Sequence, residues 1–340
     1  MIAAMSESAL KPFPLPLSVL DLAPICEGGD AGTTFRNSLA LARHVEALGY
    51  ARYWLAEHHG MPGIASAATS TLLAYIGAGT TSIRLGAGGV MLPNHSPLVV
   101  AEQYGTLAAL YPGRVDLGLG RAPGSDGATA RALRRDLHES AERFPQDVVE
   151  LMDFMSREPR QAVRAVPGQG SEVPVWILGS STFGAQLAAH LGLPFAFASH
   201  FAPQQMLAAI DIYRQGFRPS AQLAKPYVML GFNVFAAPTD AEAELRASSW
   251  QQAFVNLRSG RPGRLRPPRP GYRATLGAPE NALLDSVLSC AALGAPATVR
   301  EQLLAFVART GADELMVAAQ IYDPAARRES YTLLAEALRA

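Results

Sequence analysis

The chain has 340 residues, of which 49% are hydrophobic and 17% charged, with 29 basic against 29 acidic side chains. That composition supports a large buried core and excludes a disordered chain, and its charge balance gives no general attraction for nucleic acid. Two cysteines, Cys26 and Cys290, are too few for a disulfide framework or a cysteine-built metal site.

No apolar run approaches the ~18 residues of a membrane span. The opening "MIAAMSESALKPFPLP" lacks the basic start and long apolar stretch of a secretory leader. The expected location is the cytoplasm.

Short apolar runs alternate with longer amphipathic ones along the chain. Residues 16–23 read as a first strand and 33–49 as a helix with threonine caps and a closing glycine. Strand and helix then alternate through 50–57 and 65–80, 82–93 and 96–113, and 114–120 and 136–156. After a looser segment come strand 173–181 with helix 183–192, strand 193–200 with helix 202–217, and strand 226–237 with a helix opening at 238. A helix at 298–311, a strand at 312–320 and a last helix at 323–339 complete the pattern. The strands are continuously apolar, as parallel strands covered on both faces should be. Eight such units predict a single (β/α)₈ barrel domain over 1–340. One piece does not fit the alternation. Residues 256–279, "NLRSGRPGRLRPPRPGYRATLGAP", are rich in Arg, Pro and Gly and too long for an ordinary connection. They read as a mobile surface insertion after the seventh strand, or as a lid over the barrel mouth.

In this architecture the chemistry belongs at the carboxyl ends of the strands. The second strand ends in Glu57-His58-His59, the third carries Gly88-Gly89, and the fourth ends Gly120-Arg121. The fifth ends Gly179-Ser180-Ser181 against a helix start, and the sixth ends Ser199-His200. Adjacent His58 and His59 point to opposite faces of a strand, so they do not make a metal pair, and no HxH or Hx₃H spacing adds one. One histidine can enter the site while the other supports it from outside; a hydrogen-bonded structural histidine is the alternative. Gly88-Gly89 fits either close packing or a flat ligand lying on bare backbone. Arg121 suits an ion pair or a phosphate. Gly179, Ser180 and Ser181 suit ordinary capping or an anion at the helix N-terminus. Together they describe a site for a cofactor with one phosphate beside a glycine-backed slot, while no GxGxxG between a strand and a helix supports a dinucleotide site.

The blocks "YWLAEHHG", "IRLGAGGVMLPNHSPLVVAEQYGTL", "YPGRVDLGLGRAPGSD" and "PVWILGSSTFGAQLAAHLGLPFAFASHF" resemble the bacterial luciferase-like, flavin-dependent monooxygenases, and their single-component group-1 branch most closely. The similarity runs in order from about residue 16 to 335. It implies a barrel that binds FMN, delivered reduced by a separate flavin reductase, and that uses O₂ to oxygenate a small organic substrate. It implies a histidine near the flavin at His58, beside Glu57, and a non-proline cis peptide at Gly88-Gly89 against the flavin ring. It also implies phosphate contacts at Arg121, Ser180, Ser181 and Gly184, and a homodimer. Trp54, Leu92 and Phe201 would supply apolar walls. Two departures separate the chain from luciferase itself: Gly120 replaces a reactive cysteine, and Ser180 replaces a carboxylate. Light emission from a long-chain aldehyde is therefore not expected. The alternatives are a deazaflavin (F420)-dependent dehydrogenase and a flavin-binding protein without turnover.

Overall fold

Eight parallel strands close into a ring in a computed structural model that describes residues 13–122, 127–133 and 141–340. The strands are β1 (Leu17–Asp21), β2 (Arg52–Leu55), β3 (Arg84–Met91), β4 (Val115–Gly120), β5 (Val175–Gly179), β6 (Phe195–Phe197), β7 (Val228–Ala236) and β9 (Glu314–Ala318). Pairing of β7 with β9 and of β9 with β1 completes the barrel. Around it lie α1 (Ala31–Ala47), α2 (Thr69–Ala78), α3 (Pro97–Leu110), the short α4 (Gly127–Ala132), α5 (Phe144–Met155), α6 (Thr182–Leu191), α7 (Met206–Gly216), α8 (Asp240–Arg258), α9 (Ala278–Leu288), α10 (Pro296–Thr310) and α11 (Pro324–Arg339). The eight expected strands are all present. Of the helix expected over 136–156, residues 136–140 lie outside the described residues, as do residues 1–12 and 123–126.

Two elements had no counterpart in the sequence reading. A ninth strand, β8 (Ala291–Gly294), pairs with Asn233–Ala236, where β7 runs on beyond the ring, and α9 precedes it. The sequence "AALG" carries little β-propensity of its own; it becomes a strand because β7 offers a free edge. A smaller correction concerns α1. Its cap is Asp30, whose carboxylate accepts from the Thr33 amide at 2.8 Å, so the helix starts earlier than threonine capping implies.

The 256–279 segment departs from α8 and hydrogen-bonds to its surroundings. Leu265 forms a parallel bridge with Cys26; its amide donates to Ile25 at 2.9 Å and its carbonyl accepts from Glu27 at 2.8 Å. The Pro267 carbonyl accepts from Gln252 and the Arg269 amide donates to Ser248. Its path starts beside Phe201, which follows β6, and reaches the loops that follow β1 and β2.

Side-chain alternation decides what fills the barrel. Inward residues near the amino-terminal end are charged: Arg52 donates to Asp116 at 2.7 Å and to Glu314 at 3.0 Å, Arg84 pairs with Asp116, and Tyr227 and Ser18 donate to Glu314. This network forms a polar floor, fully paired as buried charges must be. Above it sit Leu20, Trp54, Trp176, Met229 and Met316, with the two indoles edge to face at 5.3 Å. Towards the carboxyl-terminal mouth the inward residues shrink to Ala56, Gly88, Gly118, Ala196, Gly231 and Ala318. Space therefore opens where the strands finish.

Candidate active site

Alternation along β2 separates the Glu-His-His triplet. Arg52, Trp54 and Ala56 face inward, so His58 continues on that side and Glu57 turns outward. Glu57 is 1% exposed and its Oε1 accepts two hydrogen bonds, from His59 Nε2 and from His95 Nε2, each at 2.7 Å. The Met91 amide donates to Oε2 at 3.2 Å. Burial pushes the Glu57 carboxyl up, but the two imidazole donors outweigh it and hold it below the ordinary carboxylate value. These three groups are also close enough to ligate a metal, with all donor atoms within 4.8 Å. Their hydrogen bonds to one another already account for the convergence.

A second imidazole lies within electrostatic reach of His58. His200, from the loop after β6, stands close enough for its charge to interact with that of His58. Nδ1 of each ring is buried without a partner. Burial lowers the pKa of His58, and lowers that of His200 to about 4, with His58 adding to the latter shift. Both rings are thus neutral at pH 7. His200 is locked by β7: Asn233 Nδ2 donates to its carbonyl at 2.7 Å, and a Cβ on Gly231 would lie 2.0 Å from Nδ1. Only glycine leaves room for that ring.

The glycines of β3 prove to have a packing reason. A Cβ on Gly88 would meet Leu20 at 2.8 Å and Trp54 at 3.1 Å, and one on Gly89 would meet the Gly118 carbonyl at 2.8 Å. The Gly88–Gly89 peptide is cis, at the place the resemblance implies. Trp54 therefore forms the bottom of the slot rather than a side wall, and Phe201, 38% exposed, stands at the rim. Leu92 belongs instead to the outer core, fully buried in the turn after β3.

At β4 and β5 the remaining residues come together. Arg121 lies over the Phe183 ring at 3.9 Å, in the first turn of α6. Ser181 is the N-cap of α6, yet its side chain makes no capping hydrogen bond. Gly179 and Gly184 pack face to face, with 3.5 Å from a Cβ on the former to the Cα of the latter, which draws the helix start onto the strand tip. Ser180 is exposed beside them. Among the described residues Arg121 has no carboxylate partner. The first amide of α6, Thr182 N–H, donates to Gln205 Oε1 at 3.2 Å, and the Arg121 guanidinium stands beside this helix start on Phe183, the type of pairing that suits an anion.

The luciferase-like monooxygenase family model matches residues 16–314. The chain belongs to that family. It is 54% identical over 320 residues to a luciferase-like monooxygenase of Escherichia coli (strain K12), covering 94% of this chain and 96% of that protein. It is 36% identical over 254 residues to the N-acetyl-S-alkylcysteine monooxygenase of Bacillus subtilis (strain 168), covering 72% and 75%. The crystal structure of apo-MsnO8 superposes with a TM-score of 0.85 at 35% identity, covering 95% of this chain and 98% of that one.

In this luciferase-like chain His200 is readable from the sequence as a strand-tip residue without a role, and His95, Gly231 and Asn233 not at all. Their partnerships join different strands. The one visible signal was the interruption of an apolar strand by Gly231 and Asn233, two residues apart and therefore on the same face.

Proposed function

We propose that the chain is an FMN-dependent monooxygenase that takes reduced flavin and O₂ and oxygenates a small organic substrate. The observation that carries this reading is the Arg121 guanidinium, laid on Phe183 beside a helix start that Ser181 does not cap and unpaired with any described carboxylate. That arrangement fits a single phosphate. Gly179, Ser180, Ser181 and Gly184 would hold the phosphate with Arg121, and the small-residue slot beside Gly88 and Gly89 would take the ring. Reduced flavin, when bound, supplies electrons to O₂. The chain's own part is to exclude water, through the Trp54 and Trp176 layer below, and to provide a proton-handling group. His58 is that group: a neutral ring nitrogen can accept or donate a proton at pH 7. Glu57, pinned by His59 and His95, would fix the strand tip from which His58 projects. Segment 256–279 would act as a lid at the rim.

Arg121→Ala should weaken FMN binding by about 1.5–3 kcal/mol, roughly 10- to 150-fold in Kd, because one charge-assisted partner is lost. Fluorescence titration reads it directly, and an unchanged Kd would place the phosphate elsewhere. The N-acetyl-S-alkylcysteine monooxygenase relative makes thioethers of that type the first substrates to try.

A separate flavin reductase and a second copy of the chain are the partners proposed. The second copy is supported by α2 and α3, which carry one charged residue between them, Glu102, and expose Tyr75 (43%), Val99 (43%) and Leu110 (58%). Sedimentation equilibrium should return twice the chain mass at micromolar concentration. A monomer there removes the dimer from the proposal.

A further inference from the structure

Two arginines on the strand-tip side share one posture. Arg121 lies on Phe183, and Arg258 lies on Phe201 at 4.4 Å and within 5.2 Å of Phe254. Neither has a carboxylate partner among the described residues. Arg52, Arg84, Arg246 and Arg327, by contrast, are each ion-paired. A guanidinium held against a ring face is pre-ordered and keeps its edge N–H groups for another acceptor. Arg258 commits one of them, donating from Nη2 to the Phe201 carbonyl at 3.1 Å.

Its place matters. Phe201 follows His200, whose charge interacts with that of His58, so Arg258 stands at the β6 side of the rim. It also opens the 256–279 segment, which holds six arginines and no acidic residue in a chain of zero net charge. Two of the six are neutralised, Arg266 by Glu27 and Arg273 by Asp285, and Arg264 donates to the Gly29 carbonyl. A cation in the last turn of a helix also offsets the helix dipole, but that would not require stacking on an exposed ring next to the site. The cofactor phosphate is already provided for at Arg121.

We infer that Arg258 is a specificity-determining residue that reads a carboxylate or sulfonate on the organic substrate, so that the substrate is an organic anion. This rests on the monooxygenase reading and extends it. Arg121 and Arg258 then divide two anions between two stacked guanidiniums, one on the cofactor and one on the substrate.

The test uses the full chain supplied with reduced FMN and acid/ester pairs of N-acetyl-S-methylcysteine and N-acetyl-S-benzylcysteine, reading the oxygenated product formed and, separately, the FMN Kd. The native protein should favour the acid over its methyl ester by about 10-fold or more in kcat/KM. Arg258→Met keeps the ring contact without charge. It should cost the acid about 10- to 100-fold, mainly through KM, while leaving the ester and the FMN Kd unchanged. Arg258→Lys should recover part of the loss. Equal turnover of acid and ester, oxidation of neither, or a loss of FMN affinity in Arg258→Met would each overturn the assignment. Failure of the monooxygenase reading itself shows separately, as a native protein that does not bind FMN.

Discussion

His58→Ala should leave FMN affinity within about twofold and reduce substrate-linked oxygenation at least about 100-fold, the lower end of what a positioned acid–base group contributes. The reason is location. His58 is the member of the Glu-His-His triplet on the inward face, while Glu57 is spent outside on His59 and His95. O₂ consumption should continue in the variant, with hydrogen peroxide replacing product, because His58 is not assigned to phosphate or ring binding. Parallel titration of peroxide and product checks this. Undiminished coupling of O₂ to product would remove His58 from the mechanism. The pH profile follows from burial, which lowers the His58 pKa below its ordinary 6.5 against the upward pull of Glu57. If the neutral ring is required, activity is level at pH 7 and falls only as pH drops through that lowered value.

Arg327→Met is expected to destabilise the fold by about 3–5 kcal/mol, the cost of leaving a buried charge without its partner. Asp21, at the tip of β1, is fully buried; Arg327 of α11 donates to its Oδ1 at 2.9 Å, as does the Ala23 amide at 2.8 Å. Ser38 and Tyr53 donate to Oδ2. Burial raises the Asp21 pKa, but Arg327 and these donors together bring it below the ordinary 3.8. A carboxyl whose folded pKa is depressed stabilises fully above its unfolded value and loses that contribution as pH falls through the folded one. The native protein should therefore lose this increment only below about pH 4, whereas Arg327→Met, in which Asp21 can stay folded only by holding a proton, should recover stability as pH falls from 7 towards the unfolded carboxyl value, so that the two proteins converge in acid. Urea titrations at pH 7 and pH 3 measure both effects. A loss under about 1 kcal/mol at pH 7 would mean that water or rearrangement replaces the guanidinium.

The barrel was legible because its strands are long apolar runs bounded by glycine and followed by amphipathic helices, each local signal agreeing with the next. That His58 and His59 lie on opposite faces was legible from strand geometry, and the choice of His58 for the site came from the resemblance alone. Arg121 and the Gly179–Ser181 turn were readable as types of residue at strand tips, and their meeting on Phe183 needed only neighbouring strands. What escaped was set by distant partners. His95 reaches Glu57 from the next strand tip, and His200 is fixed by a missing side chain on β7. Strand β8 exists only because β7 overruns the ring. In 256–279 the composition concealed the backbone pairing of Leu265 with the chain after β1, since Arg, Pro and Gly carry no periodic signal.

The charged floor beneath the two indoles has a consequence for traffic. With Arg52, Arg84, Asp116 and Glu314 locked together at the far end, anything seated in the barrel has a single doorway. Two ligands sharing that doorway must queue: the deeper one enters first and departs last, and whatever lies on top holds it captive. Under the proposed reaction, turnover would be paced by the outermost molecule, whichever of flavin and product that is.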